Sequence, residues 1–161
     1  MAKKRVYFET AAISYLTADK PTLDIVKLAR RQLTRQWWEH RDRWELFVSS
    51  AVMDEIAEGN PEAAEKRLEV ARRLPLLDDH PEVEALARKL ETGVPIPADS
   101  QADAAHLAFA AFYKMDYLVT WNQTHLDNPH LRKKANEIIE KRGLKPAAVV
   151  TPEFLMETKD D

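Results

Sequence analysis

The chain contains no cysteine. Disulfides, thiolate zinc centres, iron–sulfur clusters and cysteine nucleophiles are excluded at once, and the composition suits a reducing cytoplasm. Glycine is almost as scarce, with only Gly59, Gly93 and Gly143 present. Each stands where an amphipathic pattern stops and reads as a helix C-cap. Three isolated glycines leave no Gly-rich phosphate loop, no dinucleotide fingerprint and no Gly-x-Ser-x-Gly elbow, and no His-Glu-x-x-His occurs either. Long apolar runs are missing. The longest, Ala104 to Tyr113, is broken by His106 and reaches about half a bilayer span, so no membrane helix is expected. The basic start, Met1-Ala-Lys-Lys-Arg-Val, is followed by no apolar signal region. Positive charge is not in excess: 24 basic residues face 27 acidic ones, a formal net charge of −3. A globally basic nucleic-acid binder is not indicated, which leaves room only for a local basic face.

What is present is enough apolar material for a real core, 45% of 161 residues. The length suits one domain, taken as residues 1–156, with 157–161 as a frayed tail. Arg5-Val-Tyr-Phe8 reads as a first strand, followed by one or two helical turns from Ala11 to Leu16. Pro21 is expected to open a long amphipathic helix carrying Val26, Ala29, Leu33, Trp37 and Trp44 at helical spacing, with Arg30, Arg31, Arg35, Arg41 and Arg43 between them. Leu46 to Ser49 is strand-like, and Ser50 is placed as the cap of a helix running to Glu58. Asn60-Pro61 opens another helix, Leu76-Leu77 suits a short edge strand, and Pro81 to Leu90 is helical. After Pro95 and Pro97, Ala98 to Tyr113 is apolar nearly all round and is expected to be buried. Tyr117 to Thr120 is a strand, Asn128-Pro129 opens a basic helix to Lys141, Ala147 to Thr151 is the last strand, and Pro152 opens a short helix. Strands alternating with helices in this way predict an α/β domain with a mainly parallel sheet.

Ligands of such sheets bind beyond the C-terminal ends of the strands. Glu9 follows the first strand, Glu55 lies one helical turn after the second, and Trp121 and Asn122 follow the Tyr117 strand. Asp103 stands in the first turns of the apolar helix. Three carboxylates and an amide thus arrive from four segments on one expected rim. Gathered carboxylates need a positive charge among them, and oxygen-only donors suit Mg2+ or Mn2+. Such an ion clamps a phosphate and activates water for in-line attack on phosphorus, so the pattern points to metal-dependent phosphodiester hydrolysis. Each residue also has a structural reading. Asp103 stands three residues after Ser100, a capping-box spacing. Glu55 reads equally as a solvated helix residue beside Asp54 and Glu58, and Glu9 as the cap of the helix after it.

Four segments together resemble a known family. Val-Tyr-Phe-Glu9-Thr resembles the strand-plus-acid that opens PIN domains. Val48-Ser-Ser-Ala-Val-Met-Asp-Glu55 is similar to their second motif, Ala102-Asp103-Ala-Ala-His106-Leu-Ala108 to their Asp-x-x-His-x-Ala helix, and Thr120-Trp-Asn122 to their final strand end. All four stand in the family's order across nearly the whole chain. The resemblance implies an α/β, three-layer PIN-like fold with a central, mainly parallel sheet flanked by helices. It implies Mg2+- or Mn2+-dependent cleavage of RNA, as in VapC-like toxins of type II toxin–antitoxin pairs, together with a homodimer and an antitoxin partner. Carried over motif by motif, the site residues are Glu9, Glu55, Asp103 and Asn122. Glu9 stands where Asp is usual, and Asn122 where many members have Asp.

In that site Glu9 and Asp103 ligate the metal directly, Glu55 ligates it through water or positions the attacking water, and Asn122 orients that water or a phosphate oxygen. Thr10 and Ser50 are candidate phosphate contacts or, preferably, N-caps. His106 and His125 are candidate proton shuttles, His106 preferably a packed hydrogen-bonded core residue and His125 the better placed of the two to face the site, without a catalytic role assigned to it. The arginines of the second quarter, with Arg132, Lys133 and Lys134, are candidate phosphate-backbone contacts or simply solvated charges. Trp37 and Trp44, seven apart, are assigned to the core and Trp38 to an interface. Two other functions remain in view. A phosphoryl-accepting switch domain lacks its acid pair after the first strand. A PIN scaffold with weakened catalysis, binding RNA or protein without efficient cleavage, is kept alive by Asn122.

Overall fold

One apolar strand, covered on both faces, sets the architecture. In β1 (Lys4–Phe8), Val6, Tyr7 and Phe8 are all fully buried, and successive side chains point to opposite faces of a sheet. Phe8 packs edge-on against Trp37 at 5.1 Å and stacks with Trp38 at 5.7 Å, both on α2 (Ile25–Glu39). Tyr7 meets His106 of α6 (Gln101–Phe112) on the other face, with ring centroids 5.5 Å apart. A strand covered on both faces belongs in the middle of three layers. This computed structural model describes residues 2–94, 101–122 and 128–158, with the side chains at 101 and 102 outside the description.

The sheet has the order β3-β2-β1-β4-β5, and every pairing is parallel. Its other strands are β2 (Trp44–Ser49), β3 (Leu76–Leu77), β4 (Tyr117–Val119) and β5 (Ala148–Val150). The chain runs outward from β1 through β2 to the two-residue edge strand β3. It then crosses to β4, on the other side of β1, and moves out to β5. The order therefore reverses between β1 and β4, which is where open α/β sheets open a crevice. The remaining helices are α1 (Thr10–Thr17), α3 (Ser50–Ile56), α4 (Pro61–Ala71), α5 (Pro81–Gly93), α7 (Pro129–Lys141) and α8 (Pro152–Glu157). α1 and α8 pack on α2, while α5 packs on α6 and α7.

Several local expectations need correction. Pro21 does not open α2. Asp24 does, accepting hydrogen bonds from Val26 and Lys27 N–H, while its own N–H is held by Thr22 Oγ1. The helix ends at Glu39, a 3-10 turn spans Arg41–Arg43, and Trp44 is the first residue of β2. Trp37 and Trp44 are both buried as expected, yet they meet as neighbours from helix and strand, 5.9 Å apart. Ser49 rather than Ser50 caps α3, through Val52 N–H at 3.1 Å. Gly59 and Gly143 do follow helices with φ of +84° and +76°, the left-handed region that favours glycine. Gly93 differs. It is the last residue of α5, and a Cβ there would stand 2.6 Å from Ile138 Cδ1 of α7, so a side chain at this position requires Ile138 to move. Glu157 still belongs to α8, and positions 159–161 of the expected tail lie outside the described residues, as do Pro95, Pro97 and Ser100. Among the described residues no helix is long and apolar enough to cross a membrane.

Candidate functional site

Glu9 leaves the end of β1 at the reversal point. It is the N-cap of α1, and its Oε2 accepts hydrogen bonds from Ala11 N–H at 2.9 Å and Thr120 Oγ1 at 2.6 Å. Glu9 therefore caps α1, as its structural reading expects, from the end of β1. Only 4% of the residue is exposed. Burial raises its pKa above the usual value, against the pull of His106 and of the two hydrogen bonds, and Glu55 adds to the rise.

The end of β4 delivers the second half. Thr120 Oγ1, which donates to Glu9, also accepts the N–H of Asn122 at 2.9 Å. Trp121 turns inward, its indole N–H donating to Thr34 Oγ1 at 2.7 Å, with the Arg30 guanidinium 5.3 Å from its ring. Asn122 is left at the rim, where its Nδ2 lies 3.3 and 3.5 Å from the two oxygens of Asp103. Asp103 is buried in the first turn of α6. Glu9, Asn122 and Asp103 are thus linked through a single hydroxyl and a single amide.

Glu55, on α3, is partly buried and held on one oxygen. Its Oε1 accepts from Thr10 Oγ1 and lies within 2.6 Å of His106 Nε2, also the distance to Thr10. Burial opposes its charge, but His106 and Thr10 outweigh burial and hold its carboxyl below the usual range. His106 is fully buried; desolvation disfavours its charge, yet the Glu55 hydrogen bond and the carboxylates of Glu9, Glu55 and Asp103 raise its pKa overall. Its Nδ1 lies 2.6 Å from the Tyr7 hydroxyl, which is also 2.6 Å from Ser49 Oγ. Desolvation raises the Tyr7 pKa well above the usual value and keeps the phenol protonated.

All four sequence-predicted residues fall on this rim. Glu9, Asp103 and Asn122 are joined as above, and Glu55 is joined through Thr10, the neighbour of Glu9, and through His106, which feels all three carboxylates. His106 is the packed, hydrogen-bonded residue expected. Thr10 is the first residue of α1 rather than its cap, and Ser50 bonds Asp79. His125 lies outside the described residues. Tyr7, Ser49 and Thr120 were missed. Thr120 stands inside the Thr-Trp-Asn motif and was readable there, whereas a tyrosine inside an apolar strand gives no signal beyond core. Among the arginines of the second quarter, Arg31 donates to Lys20 O, Arg35 to Leu16 O and Ala18 O, and Arg41 to Trp38 O. Trp38 is partly buried under Arg41 and against Phe8.

The donors fit a hard divalent cation. They are oxygens from two carboxylates and an amide, and a third carboxylate has Oε2 outside its described hydrogen bonds. Among the described residues no three such side chains already stand close enough to hold an ion. In the arrangement present, the Asn122 amide satisfies Asp103, and a capping N–H and a hydroxyl satisfy Glu9.

No protein-family model and no curated protein matches the sequence. Among solved structures, the chain is similar to one described as VapBC2 from Rickettsia felis bound to a DNA fragment from their promoter. The likeness has a TM-score of 0.52 at 15% identity and covers 91% of this chain and 98% of that one. At that identity it shows the fold, the three-layer PIN-like arrangement around a parallel sheet.

Proposed function

We propose that the chain is a Mg2+- or Mn2+-dependent endoribonuclease hydrolysing RNA phosphodiester bonds, the toxin of a toxin–antitoxin pair, with residues 1–156 acting as one domain. The observation that carries this reading is the Glu9–Thr120–Asn122–Asp103 linkage at the β1/β4 reversal, where the fold opens its crevice. Glu9 and Asp103 would hold the ion, with Glu55 reaching it directly through Oε2 or by way of water. The ion supplies Lewis acidity and an activated water. Asn122 orients that water or a phosphate oxygen. Arg30, beside Trp121 at the rim, and the basic residues of α2 and α7 supply positive charge for a phosphate backbone. The similar structure is a VapBC2 complex, which supports a protein partner for this chain as well. A homodimer and a cytoplasmic location complete the proposal.

A second reading has its own observation. Asn122 supplies no charge and spends its amide on Asp103, and Glu55 is tied to His106. A scaffold that binds RNA or protein without efficient cleavage would look the same. Cleavage of short single-stranded RNA by purified protein, with Mg2+ or Mn2+ and with chelator, separates the two. The enzyme reading expects metal-dependent cleavage that Asp103→Asn removes while the fold persists. RNA retention without cleavage under every metal condition selects the scaffold, and cleavage that survives both chelator and Asp103→Asn defeats the mechanism.

A further inference from the structure

Behind Glu55 runs a ring of contacts that none of the site chemistry above uses. Ser49 caps α3 by accepting Val52 N–H. α3 carries Glu55, Glu55 Oε1 meets His106 Nε2, His106 Nδ1 meets the Tyr7 hydroxyl, and that hydroxyl returns to Ser49 Oγ. The three side-chain contacts are each 2.6 Å long. Tyr7, Ser49 and His106 are completely buried, so bulk solvent does not reach their contacts with one another.

We propose that Tyr7 is a positioning residue of this site: through the His106 imidazole, its hydroxyl fixes the orientation of the Glu55 carboxylate. This rests on the reading of Glu55 as a site residue. An ionised carboxylate only accepts, so His106 Nε2 donates its hydrogen to Glu55. The other ring nitrogen must then be satisfied where it is, in the core. A neutral ring offers a lone pair at Nδ1, to which Tyr7 donates while Ser49 donates to Tyr7. A charged ring offers N–H at Nδ1, which the phenol oxygen accepts while Tyr7 donates to Ser49. A hydroxyl serves both, and either way Nε2 keeps its hydrogen on Glu55.

A merely structural role does not call for the hydroxyl. Val6 and Phe8 flank Tyr7 in β1, and a phenylalanine ring would fill the same space. The Ser49 oxygen already has its capping bond. The buried hydroxyl is accounted for by its aim at Nδ1. Without it, Nδ1 is orphaned, the ring is free to change tautomer or turn, and Glu55 loses its fixed donor. Partners behind a metal-site residue act in this way on ligand orientation.

The test uses the full-length chain with 15N-labelled histidine. In metal-free protein, Tyr7→Phe should shift both His106 ring nitrogens and remove exchange protection of the Nε2 hydrogen, while the melting transition stays cooperative. Mn2+ affinity should fall about tenfold, and the same substitution made in a Glu55→Gln background should add no further loss. Unmoved ring nitrogens overturn the proposal, as does an equal loss of affinity in both backgrounds. If the parent chain binds no Mn2+, the metal reading fails by itself and the nitrogen shifts still decide the hold on Glu55. If Tyr7→Phe does not fold, 3-fluorotyrosine labelling keeps the ring and hydroxyl but strengthens the donor. It must then move the His106 nitrogens, and their failure to move overturns the proposal.

Discussion

Thr120 donates its hydroxyl hydrogen to Glu9 Oε2 across 2.6 Å, joining the ends of β4 and β1 where the strand order reverses. The same oxygen accepts the Asn122 N–H at 2.9 Å. One buried hydroxyl thus sets both the direction of the Glu9 carboxylate and the path of the chain into Asn122. Thr120→Val keeps the shape and deletes both bonds. It should cost about 1–3 kcal/mol in urea unfolding of the metal-free protein, the penalty of a buried polar group left unpaired. Thr120→Ser should recover most of that. Equal stability of Thr120→Val and the parent would show that the bond does not organise the rim.

The Glu55–His106 pair predicts a pH dependence of stability. Burial opposes the His106 charge, but Glu55 and the neighbouring carboxylates lift its folded pKa above the ordinary 6.5. Its contribution is complete below that value and is lost as pH rises through the folded pKa. Burial opposes the Glu55 charge as well, yet His106 and Thr10 hold its folded pKa below the ordinary 4.5. That contribution is complete above 4.5 and is lost as pH falls through the folded value. The pair is therefore most stabilising between the two ordinary values. Urea unfolding in chelator should show the gap between the parent and His106→Gln narrowing steadily as pH is raised from about 6.5. A gap that stays constant with pH contradicts the pairing.

Asn122→Asp separates a site residue from a surface one. The amide nitrogen it replaces stands 3.3 Å from Asp103 Oδ1, so a carboxylate there faces a like charge at contact distance. The metal-free variant should melt below the parent, because gathered carboxylates repel. In Mg2+ it should melt higher than the parent, because charge count tunes the affinity of such sites. Thermal melts of both proteins in chelator and in Mg2+ measure this. Identical melting of variant and parent in both conditions removes Asn122 from the site.

Much of this arrangement was legible in the residues because strand ends carry their chemistry locally. Glu9 after Phe8, Asn122 after Thr120-Trp121, and Asp103 in the first turn of an apolar helix each announce a polar group at the edge of a buried element. The boundaries that failed did so where local capping overrode pattern. Asp24 starts α2 with two side-chain hydrogen bonds that outbid Pro21, and Trp44 kept helical spacing while belonging to β2. The support behind the site was not legible. Tyr7 and Ser49 meet only because β1 and β2 pair in parallel with Tyr7 opposite Phe47 and α6 lays His106 across them. No local spacing encodes such a contact between residues 42 and 99 positions apart.

The central claim is that Glu9 and Asp103 share one divalent ion at the β1/β4 reversal. A crystal grown with Mn2+ and measured at the manganese absorption edge tests it most directly. The account predicts an anomalous peak with oxygens of Glu9 and Asp103 roughly 2.0–2.6 Å away, the range of hard-cation bonds. It also predicts Asn122 or Glu55 close by, directly or across a water, and loss of the peak in Asp103→Asn. Manganese bound only elsewhere, or at the rim without either carboxylate, would contradict it.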